Sequence, residues 1–139
     1  MSDIKPSHYF KPEEINVLIP KMEEHFENFW AHRQNAQDIL QELRRFSQQS
    51  DLTLAADLAH YQVRQGQARF LMDQAQKEVH AIFDLGCLVK DLEIGLVDFY
   101  ALMDKEEVFL CWKYGEKKVR HWHDIHEGFD SRKNLDRKS

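Results

Sequence analysis

The chain has 139 residues, 42% hydrophobic and 31% charged, with a formal net charge of -5, five glycines and three prolines. A chain of this length buries a real core, and its composition describes a folded, helix-rich protein rather than a disordered one, with no global basic footprint for nucleic acid. The two cysteines, Cys87 and Cys111, are too few for a disulfide scaffold, no apolar stretch has the roughly 20 residues needed to span a bilayer, and Met1-Ser2-Asp3-Ile4-Lys5-Pro6 lacks the apolar core of a signal peptide. These features lead to the expectation of a cytoplasmic protein with reduced thiols and with neither a membrane nor a nucleic-acid partner.

From about residue 12 to 86 the chain reads as helix. Pro12 suits the first helical position, Glu13 and Glu14 favour the positive end of the helix dipole, and Phe10 is placed to staple onto Ile15. Pro20 interrupts the pattern, so a kink or a second helix start is expected there. The core stripe runs Ile15, Ile19, Met22, Phe26, Phe29, Arg33, Ala36, Leu40, Leu43, Ser47. Ser47-Gln48-Gln49-Ser50-Asp51 breaks it and supplies cap chemistry. A second stripe runs Leu54, Leu58, Tyr61, Gln65, Ala68, Met72, Ala75, Val79, Ile82, and Gly86 is a natural stop.

Two long helices joined by a short polar turn form an antiparallel hairpin, coiled-coil-like in its spacing. Setting Ser47 against Leu54 places Leu43 on Leu58, Leu40 on Tyr61, Ala36 on Gln65 and Arg33 on Ala68. That register brings Arg33 near Gln65 as a buried polar layer, unless both side chains reach solvent. Val17, Leu18, Trp30, Ile39, Phe46, Val63, Phe70, Leu71 and Phe83 fall outside the stripes and need a cover, so a homodimer is expected. His25, His32, His60 and His80 lack the spacing of a metal pair on one helix and read as surface or rim residues.

After Gly86 the pattern changes to strands: Leu88–Leu92, Ile94–Tyr100, Glu107–Lys113 and a return through Lys118–His123, with turns at Met103–Glu106 and Tyr114–Lys117. The fold class is therefore α+β: a single domain over 1–139, with a helical hairpin at about 12–86, a small antiparallel sheet of three or four strands at about 87–128, and a basic tail over 129–139. An even loop after Lys113 sets Val108, Leu110 and Trp112 on the face of His121 and His123, with Cys111 on the other side; an odd loop or a bulge reverses this. Cys111, like Cys87, then reads as a small buried hydrophobe.

The run His121-Trp122-His123-Asp124-Ile125-His126-Glu127 concentrates three imidazoles and two carboxylates. His121 and His123, two apart on a strand, point to one face. His123 with Asp98, assisted by Asp124, His121, His126 or Glu127, forms a candidate site for zinc, iron or manganese. The alternative is a hydrogen bond from His123 to Asp98 or to a backbone carbonyl that locks the sheet. Arg132, Arg120 and His123, beside Trp122, are candidates for holding a small anion.

The order Gly95-Leu96-Val97-Asp98-Phe99, Leu110-Cys111-Trp112, Gly115-Glu116, Trp122-His123, Gly128-Phe129 and Arg132 resembles the bacterial domain of unknown function 2203, as do Tyr9-Phe10, Glu13-Glu14 and Leu18-Ile19-Pro20 at the front. The resemblance covers nearly the whole chain and implies no activity. It places Asp98, Trp112, Trp122, His123, Gly128 and Arg132 on the motif and leaves His121 and His126 off it. The chain departs from the pattern at Lys11 (usually Thr), Tyr100 (commonly Pro), Asp124 (commonly Glu) and Ser131 (commonly Gly).

No nucleophile elbow, phosphate-binding loop, CxxC or HExxH pattern is present. Three functions fit what remains: a non-catalytic oligomeric interaction or scaffolding module, which the reading favours, a metal-binding or metal-dependent hydrolytic protein, and a binder of a small anion.

Overall fold

A computed structural model describes residues 6–135. Two helices, α1 (Pro12–Gln49) and α2 (Ala55–Asp84), precede five strands: β1 (Leu88–Asp91), β2 (Leu96–Met103), β3 (Glu106–Lys113), β4 (His121–Asp124) and β5 (Lys133–Asn134). The contacts divide the chain into two compact units, one holding residues up to Phe26 and from Ala81 onward, the other Glu27–His80. Among the described residues no helix is long and apolar enough to cross a membrane. Asp136, Arg137 and Lys138 of the expected basic tail lie outside the described residues.

The start of α1 follows from Pro12 and Glu14. Pro12 is the first helical residue, and the Lys11 backbone N–H donates to Glu14 Oε1 at 2.8 Å, half of a capping box. The other half needs a side-chain oxygen, which Lys11 does not have. Pro20 starts no second helix; α1 continues through it, with Ile15, Ile19, Met22 and Phe26 buried on both sides of the proline. Their one-sided burial outweighs the single backbone hydrogen bond that proline removes.

The strands of the first unit form an antiparallel meander in the order β1-β2-β3-β4-β5. Met103–Glu106 is the expected turn, and its two central residues, Asp104 and Lys105, have φ of 53° and 70°. β4 begins at His121, so 114–120 is a loop of seven residues rather than a four-residue turn. β5, one strand beyond the expected three or four, pairs His121 with Asn134 and Trp122 with Lys133. One sheet face carries Val97, Phe99, Leu110 and Trp112, all buried. The Phe26 ring lies 6.4 Å from that of Trp112, Phe10 lies 4.9 Å from Phe99, and the Asn16 side chain accepts from the Val119 N–H at 2.8 Å. Phe10 is therefore committed to the sheet: its N–H donates to the Tyr100 carbonyl at 2.7 Å, and its ring fills the space where a Gly86 side chain would stand.

In the second unit α1 and α2 pack as a hairpin. Asp51 organises the turn: its Oδ1 accepts from the Thr53 N–H at 2.9 Å, and its own N–H reaches Asp57 Oδ2 at 3.1 Å. The register differs from expectation. Leu43, Ile39 and Ala68 form the core with Tyr61 and Leu71 at its margin, while Leu40, Leu54, Leu58, Met72 and Gln65 are exposed. Arg64 crosses the seam to Glu42 at 2.8 and 3.2 Å, and the Arg33 guanidinium lies 5.0 Å over the Phe29 ring. The turn between the helices spans 50–54.

Candidate functional site

Directly opposed residues in an antiparallel pair share a face. Asp98 on β2 opposes Cys111 on β3, which opposes His121 on β4, and Tyr100, Phe109 and His123 form the next row. Cys111 and His123 are therefore on the same face, against the expected parity. The loop after Lys113 has an odd count, seven, and one residue of loop length inverts the whole return strand.

His123 and Asp98 are both 2% exposed, and His123 Nε2 lies 3.0 Å from Asp98 Oδ2. His123 Nδ1 lies 2.9 Å from the Asp124 carbonyl oxygen. Asp98 Oδ1 is buried without a hydrogen-bond partner. The Cys111 thiol joins them, with ligand-type atoms of Asp98, Cys111 and His123 all within 4.8 Å of one another; it is the one such group of three among the described residues. Burial and then the Asp98 charge push the Cys111 thiol up to about 12, and burial does the same for Cys87. Both are protonated thiols at neutral pH and unsuited to nucleophilic attack as they stand.

The C-terminal segment brings Arg132 to this face. A 3-10 turn (Phe129–Ser131) precedes Arg132, whose guanidinium lies 4.4 Å over the Phe129 ring. It grips Glu116 through a fork of 3.0 and 3.3 Å and reaches the Cys111 sulfur at 3.8 Å. Glu116 is the residue that sequence reasoning missed. Its Oε1 also accepts from the Lys113 N–H at 2.9 Å, and its backbone carbonyl accepts from Trp112 Nε1 at 2.9 Å, so it closes the 114–120 loop. The available signal was its place in the motif order as Gly115-Glu116, ahead of Arg132.

The other predicted residues spread out. His121 Nδ1 is 3.6 Å from Glu116 Oε2. The Asp124 carboxylate is exposed, 3.9 Å from Lys133 Nζ, so Asp124 serves His123 through its backbone carbonyl. Trp122 is on the opposite face beneath Lys133, 4.6 Å from the ring. Arg120 is exposed beside a 250 Å³ hollow that also involves Lys117, Lys118 and His121, and its carbonyl accepts from the Leu135 N–H at 2.7 Å. His126 is exposed, and Glu127 holds Lys133 at 2.8 Å. The two arginines suggested for an anion thus differ: Arg132 already holds a carboxylate, and Arg120 faces water.

No curated protein and no solved structure matches the chain. Residues 8–135 match the family described as "Uncharacterized conserved protein (DUF2203)", and with nearly its whole length inside that match the chain belongs to the DUF2203 family.

Proposed function

We propose that this protein is a self-associating helical-hairpin module, a homodimer joined through the Glu27–His80 unit. The observation that carries this reading is the hairpin's imbalance of apolar surface. Its own interior is small: Phe29, Ala36, Ile39, Leu43, Ala68 and Ala75 are buried, and three of those six are alanine. Outside it remain Leu40, Leu54, Leu58 and Met72, with Val63 at 61% and Phe70 at 60% exposure. Exposed apolar surface of this density marks an interaction site.

The chemistry favours a second copy as the partner. Val63, Gly66 and Phe70 share one face of α2 and line a 480 Å³ groove with Ile39 and Leu71. Nothing lies within 4 Å of the position a Gly66 side chain would take. A glycine inside an exposed helix costs about 1 kcal/mol relative to alanine, and no contact within the hairpin calls for it. Two α2 helices crossing antiparallel at Gly66 approach closely there and set Phe70 of each copy against Val63 of the other, an isologous arrangement. Charge does not oppose the contact: six basic and seven acidic residues fall within 27–80, a formal -1 of the chain's -5. Size-exclusion chromatography with light scattering should give twice the chain mass at micromolar concentration, and Phe70→Glu should give the single mass with unchanged helical circular dichroism. A monomer at every concentration, or an intact dimer in Phe70→Glu, would sink the reading.

A further inference from the structure

We propose that Asp98, Cys111 and His123 form a buried site for one zinc-class divalent cation. The argument starts from hydrogen positions. His123 Nδ1 faces the Asp124 carbonyl oxygen at 2.9 Å, and a carbonyl only accepts, so Nδ1 carries its hydrogen. In a neutral imidazole Nε2 is then a bare lone pair. That lone pair faces Asp98 Oδ2 at 3.0 Å, and an ionised carboxylate also only accepts. Two acceptors at that distance in a dry interior require a positive centre between them, either a proton or a metal ion.

Three further observations favour the metal. Asp98 Oδ1 is buried with no donor in good hydrogen-bond geometry, and the group that faces the carboxylate most closely besides His123 is the Cys111 thiol, so the oxygen keeps a lone pair available to a cation. The third side chain facing the pair is a thiol, and all three ligand atoms already lie within 4.8 Å of one another. The surroundings also match what metal sites place behind their ligands. A backbone carbonyl fixes the His123 tautomer, and the Arg132 guanidinium, braced by Glu116, lies 3.8 Å from the Cys111 sulfur, where it favours a thiolate.

The ligand set selects the class of ion. Calcium and magnesium ask for six or more oxygen ligands, whereas one sulfur, one nitrogen and one oxygen suit zinc or cobalt(II). Arms of 2.0–2.3 Å in a tetrahedron set ligand atoms roughly 3.3–3.8 Å apart, so closing on the ion needs only small side-chain rotations. Three protein ligands leave the fourth position open. The filled site, a dication with a carboxylate and a thiolate, is neutral, which suits its buried position.

The test uses the full chain without a histidine tag, with cobalt(II) as probe. Expected are one cobalt per chain, a near-ultraviolet sulfur-to-cobalt charge-transfer band and intense tetrahedral visible bands, all reversed by zinc. Cys111→Ser should abolish the charge-transfer band, and Cys87→Ser should keep it. Zinc-edge X-ray absorption on the wild-type chain gives the same answer without mutation, with one sulfur and the remaining ligands nitrogen or oxygen. A folded wild-type chain that takes up no cobalt, a band that survives Cys111→Ser, or a zinc shell with no sulfur or more than one sulfur would overturn the proposal.

Discussion

Asp98, Cys111 and His123 are local departures from an apolar sheet. Asp98 is the charged member of a strand whose neighbours Val97 and Phe99 are buried aliphatic and aromatic residues, and a carboxylate is kept in such a place only with a partner. In the sequence Asp98 and His123 stand out as candidates because both fall on the motif that resembles the DUF2203 family. Cys111 could not be placed beside them, because its side depends on the parity of a loop whose length the residues do not announce. The buried thiols also carry a consequence for stability. Folded Cys87 and Cys111 hold their protons to about 12 against an ordinary 9.0, so the folded state binds protons more tightly in that window. Their contribution is therefore fully present below pH 9 and is lost as pH rises from 9 toward 12. The urea midpoint should fall along an alkaline series, and a chain with both cysteines changed to alanine should fall less steeply. An identical decline in both would show that other groups govern the loss.

The β2–β3 turn and the end of α2 handle the left-handed backbone region in opposite ways. Asp104 and Lys105 both have positive φ in a two-residue turn, where glycine is the natural second residue. Lys105→Gly should therefore stabilise the chain by about 0.5–1 kcal/mol, seen as a higher thermal midpoint. Gly86 has φ of 109°, and a Cβ there would stand 2.5 Å from the Phe10 ring, which is pinned by its N–H bond to Tyr100. Gly86→Ala should cost about 1–3 kcal/mol by chemical denaturation. Existence and type of the long elements could be read from periodicity, because burial on one face repeats every 3.6 residues in a helix and every 2 in a strand. The hairpin register could not. In α2 the stripe holds at Tyr61, Ala68, Ala75 and Ile82, but its members Leu58 and Gln65 are exposed, and Arg64 instead reaches across to Glu42. Apolar residues fall on more than one side of α2, so Leu58 and Met72, both exposed, are indistinguishable by periodicity from the residues of the seam.

At the scale of the whole molecule, self-association through the hairpin predicts a thermal midpoint that climbs with protein concentration, as mass action requires. The near-neutral hairpin should make that dependence almost insensitive to added salt. A midpoint independent of concentration over a hundredfold range, about 2.7 kcal/mol of mass-action stabilisation for a tight dimer, would count against it. Local pattern alone determined the α+β class, the helical hairpin and the small antiparallel sheet that follows it. Each of these rests on residues whose spacing or cost of burial is a property of the chain itself. Tertiary structure alone decided the hairpin register, the fifth strand, the clamp of Arg132 on Glu116 and the return of Cys111 to the face of His123. Those depend on loop lengths counted to the residue. A one-residue change inverts a strand and a turn's change slides a helix, and neither leaves a trace in the periodicity of the elements it moves.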